Sequence, residues 1–402
     1  MQPGDRLTLT LHEEHDLKKM RFPLPHPEFV KDVNPGQRLL VDDGELEFQV
    51  VDKHTNDLVC EVVIGGLLKE RKGVSAPDSR LTLPALTDKD RGDLVFALEQ
   101  KVDYVAMSFV RSADDLRELR WLINMHKGEV AIIAKIEKME ALENIEEIVE
   151  VAEGIMVARG DLGVETPAAA VPIHQKRIIR LCNEAGKPVI TATQMLNSMI
   201  ESPRPTRAEA SDVANAIFDG TDAIMLSGES ASGKYPVESV ETMATIAQIA
   251  EKNLSTFSNF SKNRQKNAAL DSSTDDNPIA NAISHATVEM AESIGARLIV
   301  SSTWTGYTAQ RVARERPQTP IVCVTPNRAT FQRMSLVWGV FPVMVEEFNT
   351  IDDMIRIITA TLTNEGMVST GDRVLIIAGV PFGAGGQTNM VKIQTIGHNQ
   401  QA

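Results

Sequence analysis

Five short apolar runs, separated by helical stretches, constrain this chain more than any other feature. "VDYVAMSFV" (102–110), "EVAIIAKI" (129–136), "GIMVA" (154–158), "KPVITAT" (187–193) and "DAIMLS" (222–227) begin 27, 25, 33 and 35 residues apart. Strands apolar on both faces, alternating with amphipathic helices, indicate parallel βα units in which helices cover the sheet. Helix signals fall between them. Thr87 is followed three residues later by Asp90, a capping-box-like start. The stretch 206–219 stops at Gly220, a plausible C-cap.

The flanking segments read differently. Over residues 1–82, "RLTLTL" (6–11), "RLLVDDG" (38–44), "LEFQVVD" (46–52) and "LVCEVVI" (58–64) are β-rich runs divided by Pro35-Gly36, Asp42-Asp43-Gly44 and Gly65-Gly66. This spacing predicts a small antiparallel barrel or sandwich. The pattern changes near Leu83-Pro84, and 253–277 is polar and structure-poor. Beyond it "ARLIVSST" (296–303), "PIVCVT" (320–325), "VFPVMVE" (340–346) and "DRVLIIAGV" (372–380) predict a second, open α/β sheet. The expected domains are 1–82, 83–255, a linker at 256–277, and 278–402. No internal repeat is visible.

Composition narrows the function. Among 402 residues, 55 acidic side chains face 41 basic ones, a net charge of −14, which argues against a general nucleic-acid partner. Cys60, Cys182 and Cys323 are scattered, so neither a disulfide framework nor a zinc site is expected, and a reducing compartment, the cytoplasm, is the reading. No apolar run approaches the roughly 18–20 residues of a membrane span. The N-terminus lacks a basic region followed by an apolar one.

Polar residues follow the C-terminal ends of the middle strands: Lys135-Ile136-Glu137, Arg159-Gly160-Asp161, Thr193-Gln194 and Ser227-Gly228-Glu229. In a (β/α) barrel this rim gathers catalytic groups. Lys135 and Glu137 alternate with the strand period and so share a side. Glu137 and Asp161 suit a hard divalent cation such as Mg²⁺. A neighbouring lysine suits negative charge developing in a transition state. Each feature alone has a plainer reading: Lys-x-Glu as a surface ion pair, "RGDLG" as a helix-initiating turn, Thr193 as a strand-end cap. Their recurrence on consecutive strands favours a site.

The strings "AIIAKIEKMEAL" (131–142), "GIMVARGDLGVE" (154–165), "KPVITATQMLNSMI" (187–200) and "PRPTRAEASDVANAIFDGTDAIMLSGESASGKYP" (203–236) closely resemble the pyruvate kinase family. The likeness extends from the first residues, with "LPALTDKD" (83–90) as the return from the lid, to the C-terminal domain. It implies phosphoryl transfer from phosphoenolpyruvate to ADP, giving pyruvate and ATP with Mg²⁺ or Mn²⁺, and a homotetramer when complete. Lys135 matches the lysine acting on the transferring phosphoryl group, and Glu137 and Asp161 match the metal ligands. Gly160 and Asp161 match backbone contacts to the substrate carboxylate. Thr193 matches the threonine at the proton-transfer face, and Lys72 a lid lysine reaching nucleotide phosphates. The sequence departs from the family just after Lys72: Ser75-Ala76-Pro77-Asp78 stands where Asn-Leu-Pro-Gly is usual. "SSTWTGYTAQRVARERP" (301–317) resembles a phosphate-binding loop, and "GVPFGAGGQTN" (379–389) is a second Gly-rich loop. An effector, a sugar phosphate or nucleotide, would meet Ser302, Thr303, Thr305, Gly306, Thr308, Gly385 and Gly386.

The resemblance also implies a fold class: α/β, a partial (β/α)₈ TIM-type barrel with five of eight strands, an inserted β-rich lid and a C-terminal open-sheet α/β domain. The family's first three barrel strands, with a substrate-facing arginine and the K⁺ ligands, are expected to be absent, leaving the chain N-terminally truncated and inactive alone. Two other readings compete. One is a Mg²⁺-dependent aldolase or lyase acting through pyruvate enolate. The other is an inactive effector-binding remnant.

Overall fold

The computed structural model describes residues 1–12, 16–42, 44–70, 72–254, 277–382 and 388–397. The expected linker at 256–277 lies almost wholly outside the described residues. Three sheets organise the described residues.

The first sheet holds β1 (Arg6–Thr10), β2 (Arg21–Pro23), β3 (Arg38–Val41), β4 (Leu46–Lys53), β5 (Asp57–Ile64) and β6 (Val74–Ser75), in the order β2-β1-β5-β4-β3-β6. Alternation drives it: Leu7 and Leu9, Leu39 and Val41, Leu46, Phe48 and Val50, and Leu58, Cys60 and Val62 all point into one core. The helix Pro27–Asp32 adds Phe29 and Val30. The sheet is open, and β1 runs parallel to β2, so the expected antiparallel barrel or sandwich is replaced by a mixed sheet. β2 and β6 are too short to leave a periodic signal. Asp78, in the segment that departs from the family, accepts from Arg38 Nε and Nη2 at 3.0 Å each and from its backbone N at 3.1 Å. That clamp fastens the segment to the start of β3.

The second sheet takes β7 (Tyr104–Met107), β8 (Ala131–Ile136), β9 (Gly154–Ala158), β10 (Val189–Ala192) and β11 (Ala223–Met225) in strict chain order. All five runs read as strands are strands. β9 and β10 are buried at every position, as strands covered on both faces must be. The Thr87 capping box forms with Asp90, and Gly220 closes its helix at φ 98°, in the left-handed region that glycine adopts without a Cβ penalty.

The third sheet has the order β14-β13-β12-β15-β16, from β12 (Leu298–Ser302), β13 (Ile321–Thr325), β14 (Val340–Met344), β15 (Arg373–Ala378) and β16 (Met390–Thr395). The first four are parallel. β16 pairs antiparallel with β15 and was not foreseen. Its half-exposed "MVKIQT" is too mixed for a core strand, and its place is set by the partner.

The chain divides into two compact units. One comprises Met1–Ala152, Met156–Ile178 and Ala192–Gln194, the other Glu153–Ile155, Ile179–Thr191 and Met195–Ala402. Inside the second, Arg316 and Asp222 form an ion pair with side chains only 4% exposed each. Arg316 Nη1 and Nη2 donate to the two carboxylate oxygens at 2.9 and 3.1 Å, and Nη2 also reaches Asn183 Oδ1 and the Gly220 carbonyl. Asp222 further accepts from the backbone N–H groups of Val189 and Trp338, at 3.0 Å each. The guanidinium lies 5.2 Å from the Trp338 ring centroid. These contacts join the end of the helix Tyr307–Arg314 to the starts of β10 and β11. Removing one member of such a pair leaves the other buried and uncompensated. We predict that Arg316→Leu lowers the unfolding free energy by about 3–5 kcal/mol. Urea denaturation measures it, and a loss under about 1 kcal/mol, the scale of an exposed pair, would contradict the bridge.

Candidate active site

The end of β8 brings Lys135 and Glu137 to one side of the strand. Glu137 is 1% exposed, and a buried carboxylate needs partners. Lys135 Nζ lies 2.6 Å from Oε1, and the Phe109 backbone N–H donates to Oε2 at 2.7 Å. Lys135 Nζ also donates to Ser108 Oγ at 2.8 Å. Ser108 and Phe109 follow β7 directly, and Phe109 turns into the left-handed region at φ 56°. Neither was singled out from the sequence, because "VDYVAMSFV" reads as one strand. The strand ends at Met107, and the same rim rule applied there would have found Ser108.

Burial is the main cause that pushes the Glu137 carboxyl above its ordinary 4.5. Lys135 and the Phe109 N–H oppose that shift, and the negative charge of Asp161 adds to it. Asp161 sits in the first turn of the helix Arg159–Glu165, directly after β9, and is half-buried.

Thr193 follows β10 at φ 68°, with Gln194 at φ 54°. A β-branched residue there is strained. Contacts hold it: its Oγ1 accepts from the Gly160 N–H and donates to the Ala192 carbonyl, both at 2.7 Å, and Arg159 Nη2 donates to its carbonyl at 2.7 Å. The Gly160 N–H, which the resemblance assigns to a substrate carboxylate, is thus engaged by Thr193.

A cavity of about 1680 Å³ opens over this rim, with Lys72, Ser108, Phe109, Lys138, Asp161 and Glu165 in its lining. Lys135 and Glu137 are tied to it through Ser108 and Phe109. Lys72 Nζ is 2.7 Å from Asp42 Oδ1. Arg111, just beyond Phe109, donates to the carbonyls of Leu81 and Leu83 at 2.7 and 2.9 Å, fastening the return from the first sheet.

Glu137 and Asp161 are a pair of hard oxygen donors. Among the described residues no group of three or more His, Cys, Asp or Glu side chains is placed to hold a metal. A divalent cation fits this pair if water or substrate oxygens complete its shell, the usual arrangement for Mg²⁺. A buried carboxylate whose ionisation is disfavoured gains from such a charge.

In the third sheet, β12 stands beside β13 on one edge and β15 on the other, so the strand order reverses there, the topological point at which open α/β sheets take ligands. Ser302 ends β12 and pairs with Ala378 of β15. Thr303 Oγ1 accepts from the Gly306 N–H at 3.0 Å, and Thr305 Oγ1 from the Tyr307 N–H at 3.4 Å. Gly306 has φ 90°, a backbone conformation that strains any residue with a Cβ. Thr308 Oγ1 meets Thr388 Oγ1 at 2.9 Å, linking the two loops. Gly385 and Gly386 lie outside the described residues. Cys60, Cys182 and Cys323 are buried free thiols, and burial lifts Cys60 and Cys323 to about 12.

The family description "Pyruvate kinase, barrel domain" matches residues 1–240, and "Pyruvate kinase, alpha/beta domain" matches 281–394. The chain belongs to the pyruvate kinase family. It is 45% identical to a pyruvate kinase of Geobacillus stearothermophilus over 98% of this chain and 66% of that protein. It is 44% identical to one of Clostridium perfringens over 98% of this chain and 82% of that one. A pyruvate kinase of Staphylococcus aureus is 42% identical over 99% of this chain and 67% of its own length. The chain thus spans 66% to 82% of the length of these relatives. Among the described residues, no helix is long and apolar enough to cross a membrane.

Burial that raises a carboxyl pKa makes its ionisation oppose the fold. Below 4.5, Glu137 is protonated in folded and unfolded chains alike; as pH climbs through the raised folded value, the unfolded chain releases its proton first. We therefore predict that the wild-type chain loses stability relative to Glu137→Gln as pH rises from 4.5 toward neutrality. Urea unfolding with a chelator present reads this, and a gap that does not move with pH would refute it.

Proposed function

We propose that this chain transfers the phosphoryl group of phosphoenolpyruvate to ADP. The observation that carries the reading is the pair of half-buried Lys135 and buried Glu137, with Asp161 close enough for its charge to act on Glu137. Lys135, oriented by Glu137 and Ser108, faces the charge that gathers on the transferring group. Glu137 and Asp161 would hold Mg²⁺ or Mn²⁺, which when bound neutralises phosphoryl charge. Gly160 and Asp161 border the substrate, and Thr193, fixed by three hydrogen bonds, stands at the face where the enolate gains its proton. Lys72, in the lining of the same cavity, would meet nucleotide phosphates.

The same reading makes the chain a glycolytic phosphotransferase of the cytoplasm, a homotetramer when complete. Its domains run over 1–82, 83–255 and 278–402. Ser302, Thr303, Thr305, Gly306 and Thr308, with Gly385 and Gly386, would receive a phosphorylated effector at a helix start. The family membership and the arrangement of β12 and β15 support this.

The test is a coupled assay of pyruvate formed from phosphoenolpyruvate and ADP with Mg²⁺. We predict that Lys135→Met lowers kcat by about 10²–10³-fold with little change in KM, as expected for a group acting on the transition state. A raised KM at unchanged kcat would make Lys135 a binding residue only.

A further inference from the structure

We infer that Lys138 and Glu165 are positioning residues that set the separation of the Glu137 and Asp161 carboxylates and thereby the affinity for the divalent cation; this rests on the metal assignment proposed above. Lys138 directly follows Glu137 at the end of β8. Glu165 ends the short helix that begins at Arg159, one turn beyond Asp161 and on the same face. Their charged groups are in contact, with side chains 16% and 6% exposed. Lys138 Nζ also lies 5.9 Å from the centroid of the Phe109 ring, and the Phe109 backbone N–H holds Glu137 Oε2. Lys138, Glu165, Phe109 and Asp161 share the cavity lining.

One carboxylate rides on a strand end and the other on a separate helical turn. No described hydrogen bond joins Glu137 to Asp161 directly. The Lys138–Glu165 pair ties the two segments one residue from the first carboxylate and one turn from the second. Water screens such a buried pair weakly, so it holds its geometry where an exposed pair would not. A bond of this kind orients ligands without touching the cation.

Positioning and simple electrostatics make opposite predictions. Lys138→Met leaves the site more negative and would tighten a cation if charge alone mattered; positioning predicts weaker binding. The neutral double variant Lys138→Met/Glu165→Gln keeps the net charge of the pair and isolates the geometry. The measurement is titration of the full chain with Mn²⁺ alone, following free Mn²⁺ by electron paramagnetic resonance, so turnover is not needed. Both variants are expected to bind Mn²⁺ about tenfold more weakly, as for loss of groups that orient metal ligands. Lys138→Arg, which can keep the ion pair, should stay within about threefold of wild type, well inside that loss. Tighter binding in Lys138→Met, unchanged binding in the double variant, or a Lys138→Arg chain as weak as the double variant would each overturn the inference. Glu137→Gln and Asp161→Asn run in the same titration. If neither weakens Mn²⁺, the metal assignment itself fails, whatever the Lys138 variants do.

Discussion

The burial of the Glu137 carboxylate constrains the rest of the candidate site. A charged group that is 1% exposed persists only where cations and N–H groups replace water. Lys135 supplies the charge. The left-handed turn at Phe109 supplies the N–H, and that turn in turn ends β7 and leaves Ser108 facing Lys135. Three neighbouring features of the rim therefore follow from satisfying one carboxylate. The same burial raises its pKa above the ordinary carboxyl value.

A second buried charge organises the other unit in the same way. Asp222 takes bonds from Arg316, Val189 and Trp338, so segments far apart in sequence converge on two oxygen atoms. The helix Tyr307–Arg314 begins at the Gly306 turn and runs toward this bridge. Its start and its end are thus both tied down, at one end by the Gly306 N–H donating to Thr303 Oγ1 and at the other by Arg316. A loop held this firmly suits ligand binding, since little ordering remains to be done.

Much of this was legible beforehand. The runs at 102, 129, 154, 187 and 222 are strands, the Thr87 and Gly220 caps form, and Lys135 and Glu137 do share a side. What escaped has a common cause. β2 and β6 are too short for periodicity, and β16 is defined only by its pairing with β15. Ser108 and Phe109 were hidden inside an apolar run whose β propensity gave no sign of a left-handed turn. The contact of Lys138 with Glu165 joins residues 27 apart in the chain, beyond any local pattern.

By itself the amino-acid order determined which of the longer periodic segments become strands and helices and which residue types stand at the middle strands' ends, because those depend on periods and caps a few residues long. Only the tertiary structure decided that the Gly160 N–H is taken by Thr193, that Lys72 pairs with Asp42, and that Glu137 lies buried between Lys135 and a backbone N–H. Each is a contact between separate segments. Whether it forms depends on how those segments pack and what water they exclude, and no local stretch of sequence carries that information.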